Sequence, residues 1–152
     1  MKKIFQQLNI IFLALLGGQV AFAAVAYSLN DPSQLNYDSD SQGLGFVLPI
    51  IMLSAIAVAF WIYNQRKVQG AALNDVSAKA AHYRSSAIIR LGLTEGPNLL
   101  AVVLFLLEGN LTFLMYFGIG LLAFFFFRPS KDKFITDYSL SVSEQQELNA
   151  GV

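Results

Sequence analysis

Four long apolar runs, at residues 10–29, 44–63, 88–107 and 111–127, constrain the fold of this chain more than any other feature. A membrane hydrocarbon core about 30 Å thick is crossed by roughly 20 apolar residues in helical conformation, and each run has a suitable length. Backbone polar groups in lipid must be hydrogen-bonded within the segment, which favours helices over strands. Charged residues make up only 13% of the chain, whereas soluble domains carry about 25%. The sequence therefore predicts an all-α, polytopic membrane protein with four transmembrane helices.

The positions of the Lys and Arg residues predict how these helices are threaded. All ten precede the first run, lie between the second and third, follow the fourth, or lie just inside the end of a run on that same side. The segments on the other side, 30–43 and 108–110, carry acidic residues and no base. Because basic segments stay in the cytoplasm, both termini are predicted to be cytoplasmic, with two outward-facing hairpins. We expect the plasma (inner) membrane of a bacterium.

The start of the chain has a second interpretation. Lys2 and Lys3 precede an apolar run, and Ala21-Phe22-Ala23 resembles the small-residue site at which a signal peptide is cleaved. The apolar run continues beyond Ala23 to residue 29, which favours an uncleaved first helix. Cleavage of residues 1–23 would leave three helices with the same orientation.

The spans also define the organisation of the chain. Residues 1–152 are predicted to form one membrane domain with an outer loop at 30–43, a cytoplasmic connection at 64–87 and a cytoplasmic tail at 128–152. Glycines in transmembrane helices commonly allow close approach of a neighbouring helix. We expect this role for four glycines of the first and fourth spans, Gly17, Gly18, Gly118 and Gly120.

Two helix starts are predicted in the cytoplasmic segments. Asn74 or Asp75 can cap a helix that continues through Arg84 into the third span. In the tail, Ser143 followed three residues later by Gln146 resembles a capping box.

Composition excludes several classes of function. The chain has no cysteine, so disulfides, cysteine metal sites and thiol nucleophiles are absent. Its single histidine, His82, cannot form a histidine cluster and is expected on a solvated cytoplasmic turn. The net charge is zero, which gives no reason to expect a nucleic-acid partner. No catalytic residue, metal site or cofactor is predicted.

The third span is the polar one, and it carries the candidate site. An ionisable group within a span costs about 2.5–3.5 kcal/mol at the bilayer centre, and such groups usually face the interior of a helix bundle. Glu95 is such a group, and Asn98 shares its helix face at i+3. Gln19 of the first span can supply a further oxygen. These three side chains are candidates for binding an ion or a proton.

Gly96 and Pro97 lie between the two polar residues and are predicted to kink the helix, because proline cannot donate to the carbonyl of Leu93. Arg90 is a further candidate, although it is poorly placed around the helix to pair with Glu95. Its long stem can carry the guanidinium towards the inner interface. In the alternative interpretation, Glu95 is paired with a group on another helix and serves only packing or assembly.

Residues 92–107, which begin Gly92-Leu93-Thr94-Glu95-Gly96-Pro97 and continue as an aliphatic run, resemble the carboxylate helix of the rotor-ring c subunits of rotary ATP synthases. That helix carries a Glu or Asp followed closely by a proline and aliphatic residues. The resemblance implies that Glu95 carries the translocated ion, and the predicted direction of the helix agrees with the bacterial subunit.

Three functions follow as hypotheses. The first is a small subunit or scaffold of a membrane complex, formed with further copies of the chain or with other membrane subunits in the lipid bilayer. The second is an oligomer that translocates ions or protons through Glu95. The third is a membrane enzyme that acts on a lipophilic substrate.

Overall fold

The computed structural model describes residues 2–37 and 43–150, and over these ranges the chain is all-α. Part of the predicted outer loop, 38–42, and the last two residues of the predicted tail lie outside the described residues. The helices are α1 (Lys2–Leu29), α2 (Leu44–Ala71), α3 (Val76–Glu108), α4 (Leu111–Phe126), α5 (Lys131–Asp137) and α6 (Val142–Ala150).

Three of these helices, α1, α2 and α3, are long and apolar enough to cross a membrane. A fourth crossing is possible if α4 and α5, which meet at an angle of 67°, count as one bent span. The helices extend past the predicted runs because polar residues continue the same helical turns. In particular, α3 begins at Val76, where the Asp75 carboxylate accepts a hydrogen bond from the backbone N–H of Ala78 at 2.8 Å. The prediction of a cap at this point is confirmed, with Asp75 as the capping residue.

The central helix is α3, and α1, α2 and α4 all pack against it. Helices α1 and α2 both pack against α3 and make few close backbone approaches to each other. Buried apolar residues form three clusters along the bundle. One surrounds Tyr83 and Phe134, a middle one surrounds Phe12 and Phe124, and the third surrounds Val102 and Phe113.

The end of the bundle around Tyr83, here called the basic end, is closed by α5 and α6. The ring of Tyr83 lies 5.1 Å from that of Phe134 and 5.6 Å from that of Tyr138, and all three side chains are buried. The buried Lys79 ammonium forms an ion pair of 2.6 Å with Glu144 of α6. These contacts fix the last two helices against the start of α3.

Two predictions at the basic end are wrong. The capping box of α6 is formed by Ser141 and Glu144 rather than by Ser143 and Gln146: the Ser141 N–H donates to the Glu144 carboxylate at 2.7 Å, and the Glu144 N–H donates to Ser141 Oγ at 3.3 Å. His82 is half-buried rather than solvated, because its Nδ1 lies 2.9 Å from the Tyr138 hydroxyl.

At the opposite end, the first connection is joined to the turn between α3 and α4. Asn36 donates its N–H to the carbonyl of Gly109 at 3.2 Å and accepts from the N–H of Leu111 at 2.9 Å. Gly109 has a φ of 62°, a left-handed conformation that favours glycine. This pairing ties the two connections at that end together.

The expectation for the four glycines holds for one of them within the chain. A Cβ on Gly120 would overlap the side-chain amide of Asn98, so α3 and α4 approach closely there. Among the described residues, a Cβ on any of the other three would meet nothing within 4 Å, so no helix of the same chain approaches closely there: Gly17, Gly18 and Gly118.

Candidate functional site

Two of the candidate side chains meet in the middle of the bundle. Asn98 Nδ2 donates to Gln19 Oε1 at 3.0 Å, joining α3 to α1. Both side chains are almost completely buried, with exposed fractions of 2% for Asn98 and 0% for Gln19. Gln19 Nε2 has no hydrogen-bond partner among the described residues. A buried amide with an unused donor costs free energy, so this pair is an incompletely satisfied polar group within an apolar core.

The space around the amide pair is set by α4. Gly120 lies directly against the Asn98 amide, and the end of the Met52 side chain closes the same space from α2. All four long helices therefore contribute to the surroundings of Asn98. The packing leaves little room for a bound ion of any size beside the amide without movement of these side chains.

Glu95 is not part of this pair. It is half-buried, one helical turn before Asn98, and forms no hydrogen bond or ion pair with the described residues. The spacing of three residues places it on the same face of α3 as Asn98. The structure thus brings Gln19 and Asn98 together and leaves the carboxyl group of Glu95 at the edge of the same face, without a partner.

Gly96 and Pro97 lie within α3, which is continuous from Val76 to Glu108. Gly96 is exposed, and no side chain or backbone atom lies close to the position of a Cβ. Pro97 removes one backbone donor from the helix, so the carbonyl of Leu93 has no intrahelical partner from that position.

Arg90 belongs to a second polar group, at the basic end. Its side chain extends towards that end, as expected, but the guanidinium is enclosed by protein and only 5% of the residue is exposed. The guanidinium lies 3.8 Å from the ring centre of Tyr63 and 4.9 Å from that of Phe127, and it donates to the Phe127 carbonyl at 3.1 Å. Such cation–π contacts partly replace hydration of the charge.

Tyr63 extends this group to α5. Its hydroxyl donates to the Asp137 carboxylate at 2.6 Å, and the other oxygen of Asp137 lies 3.8 Å from Lys67 Nζ. Sequence reasoning missed this group because Asp137 lies in the predicted tail, far from Arg90 and Tyr63 along the chain. One sequence feature could have indicated the group: an arginine lies within the third span, and aromatic residues end the second and fourth spans on the same side.

The chain matches no protein-family model, no curated protein and no solved structure.

Proposed function

We propose that this protein is a small subunit of a bacterial inner-membrane complex and that Glu95 contacts a neighbouring subunit. In the proposed arrangement four helices cross the membrane as two outward-facing hairpins, with both termini in the cytoplasm. The neighbour is a second copy of the chain or another membrane subunit. The observation that carries the proposal is the half-buried, unpartnered carboxyl group of Glu95 in the apolar part of α3.

Glu95 without a partner is costly in the isolated chain. A carboxylate at the centre of a helix in lipid costs about 2.5–3.5 kcal/mol, and such groups are normally paired within the protein. Arg90 does not offset this cost, because its guanidinium is engaged with Tyr63 and Phe127. A donor from another subunit would supply the missing partner.

The surface of α1 supports the same proposal. The face of α1 opposite Gln19 carries the small residues Gly17, Ala21 and Ala24, all of them exposed. Small residues on one face let helices approach closely in lipid, where association depends on van der Waals packing. Among the described residues nothing covers this face, so it is available to a helix of the neighbouring subunit.

The proposed orientation rests on the basic residues. Arg66 donates to Ser86, Lys67 approaches Asp137 and Arg128 donates to Asn9, and all of these contacts lie at the basic end. Under the positive-inside rule this end faces the cytoplasm.

The proposal is tested by native mass spectrometry of the protein released from its own membranes. Glu95→Leu should abolish or weaken the assembly while the separated chain stays folded, because leucine cannot accept a hydrogen bond. Glu95→Gln should largely preserve the assembly, because the amide oxygen can still accept a hydrogen bond. Glu108→Gln, which removes a carboxylate at the far end of the same helix, is the matched control. A wild-type protein that is released only as single chains, or a Glu95→Leu assembly as stable as that of Glu108→Gln, would refute the proposal.

The second candidate is translocation of ions or protons through Glu95. The half-buried carboxyl group of Glu95 favours it, because it forms no hydrogen bond or ion pair with the described residues and lies one helical turn from Asn98. The distinguishing test is labelling by a lipophilic carbodiimide, which requires a protonated carboxyl group in an apolar setting. Selective labelling of Glu95 that sodium prevents, together with loss of ion uptake into vesicles by Glu95→Gln, would support translocation over assembly.

A further inference from the structure

A cavity of about 250 Å³ lies at the basic end, between α2, the end of α4 and α5. Its polar lining includes the side chains of Arg90, Lys67, Lys133 and Asp137. Arg90 is the only one of these four side chains that is buried. The cavity is independent of Glu95 and of the amide pair.

The charges around this cavity are unbalanced. Three cationic side chains face one carboxylate, and Asp137 already accepts from Tyr63 and lies 3.8 Å from Lys67. No ion pair of Arg90 or Lys133 with a carboxylate occurs within the described ranges. Lys133 Nζ instead donates to the carbonyl oxygen of Phe126, at 2.6 Å. The lining therefore carries a net positive charge that the described residues do not neutralise.

Arg90 is the side chain that most needs a counter-charge. A buried charge without a partner costs several kcal/mol, and aromatic faces replace only part of its hydration. In addition, Arg90 Nε is buried and has no hydrogen-bond partner among the described residues. An anion in the cavity would supply the counter-charge that the guanidinium lacks.

The edge of the cavity is apolar. Phe60 and Phe126 line it and are also exposed on the outer surface of the helices, with exposed fractions of 52% and 69%. A ligand that fits both parts has an anionic head and an apolar body. Basic pockets between membrane helices on the cytoplasmic side bind anionic lipid headgroups in this manner.

We propose that this cavity binds the phosphate of an anionic phospholipid, with the guanidinium of Arg90 and the ammonium groups of Lys67 and Lys133 as the recognition groups. The acyl chains lie against Phe60 and Phe126. The same phosphate chemistry is also present in free inorganic phosphate, which lacks the apolar body. The proposal does not depend on the function assigned to Glu95.

The test measures lipid binding to the purified full chain in micelles, by native mass spectrometry and thermal unfolding. Phosphatidylglycerol should remain bound and raise the unfolding temperature more than phosphatidylcholine does. Lys133→Gln and Lys67→Gln should each weaken phosphatidylglycerol binding by about tenfold, the effect of losing one charged hydrogen bond. Lys3→Gln, which removes an exposed charge outside the cavity, is the matched control and should change binding less than twofold.

Three results would overturn the proposal. Equal binding of phosphatidylglycerol and phosphatidylcholine would show that the cavity does not select an anionic head. An equal effect of Lys133→Gln, Lys67→Gln and Lys3→Gln would assign the preference to general surface charge. Protection by millimolar inorganic phosphate as strong as that by the lipid would show that the apolar edge contributes nothing and that the ligand is not a lipid.

Discussion

Gly120→Ala tests the packing around the buried amide pair, and its expected effect can be worked out from the structure. A Cβ at this position would overlap Asn98 Oδ1 and would also crowd the end of Met52 at 2.7 Å. Overpacking of this kind costs about 1–3 kcal/mol. Displacement of the Asn98 amide would further weaken its bond to Gln19, and hydrogen bonds between membrane helices are worth about 0.6 kcal/mol on average. Helix propensity favours alanine over glycine by about 1 kcal/mol and offsets part of this loss. The free energy of unfolding should therefore fall by about 1–2.5 kcal/mol.

The assay is reversible unfolding in mixed micelles, followed by circular dichroism, at protein concentrations where the chain is monomeric. Gly118→Ala, two residues away on the same helix, is the matched control. A Cβ there meets nothing, and alanine is favoured over glycine in helices by about 1 kcal/mol, so this variant should be as stable as the wild type or more stable.

A double-mutant cycle tests whether the cost of Gly120→Ala comes from the contact with Asn98. Asn98→Ala removes the atoms that the new Cβ would overlap, so Gly120→Ala should cost less in that background than in the wild type. Equal stability of Gly120→Ala and Gly118→Ala, or an unchanged cost in the Asn98→Ala background, would refute the close contact between α3 and α4.

Two further predictions concern the basic end. Hydrogen bonding by Lys79 and by the backbone N–H of Ser141 lowers the pKa of the Glu144 carboxyl below its ordinary value of 4.5. The stability that this carboxylate contributes is therefore present above pH 4.5 and is lost as the pH falls through the lower pKa of the folded state. The free energy of unfolding should fall by about 1 kcal/mol or less between pH 6 and pH 3, and Glu144→Gln should make this fall smaller. A pH dependence that is the same in Glu144→Gln as in the wild type would argue against the ion pair. Tyr63→Phe removes the hydroxyl that binds Asp137 at 2.6 Å and keeps the ring beside Arg90, so it should lower the free energy of unfolding by about 1–3 kcal/mol. Tyr63→Leu, which also removes the aromatic face, should cost more in the same unfolding assay, and equal losses would show that the cation–π contact contributes nothing.

The helical class of the chain could be predicted because it depends on local properties. Apolar runs of membrane length and the capping ability of Asp75 act within a few turns of the chain, and the helices follow them. The helix ends were less predictable: the apolar run from residue 44 ends at 63, but α2 continues to Ala71. Polar residues with good helix propensity continue a helix without contributing to hydropathy.

The contacts between distant segments could not be predicted in the same way. Gln19 was grouped with Asn98 and Glu95 as a source of a further oxygen for an ion, and in the structure it is hydrogen-bonded to Asn98. Asp137 was missed because nothing local relates a short tail helix to a residue of α2. Tyr138 was missed for the same reason, and this made His82 look solvated. Such contacts depend on how α5 folds back against α3, which pattern and propensity do not specify.

Site-specific photo-cross-linking in intact membranes tests most directly whether Glu95 contacts a neighbouring subunit. A photoreactive amino acid at Gly92, an exposed position one turn before Glu95, probes the face on which the neighbouring subunit is proposed to lie. The same amino acid at Leu122, which is 71% exposed on α4, is the control position. We expect a covalent protein adduct at position 92 that is stronger than at position 122, is lost in Glu95→Leu and is kept in Glu108→Gln. The absence of an adduct at position 92, or an adduct that persists unchanged in Glu95→Leu, would contradict this expectation.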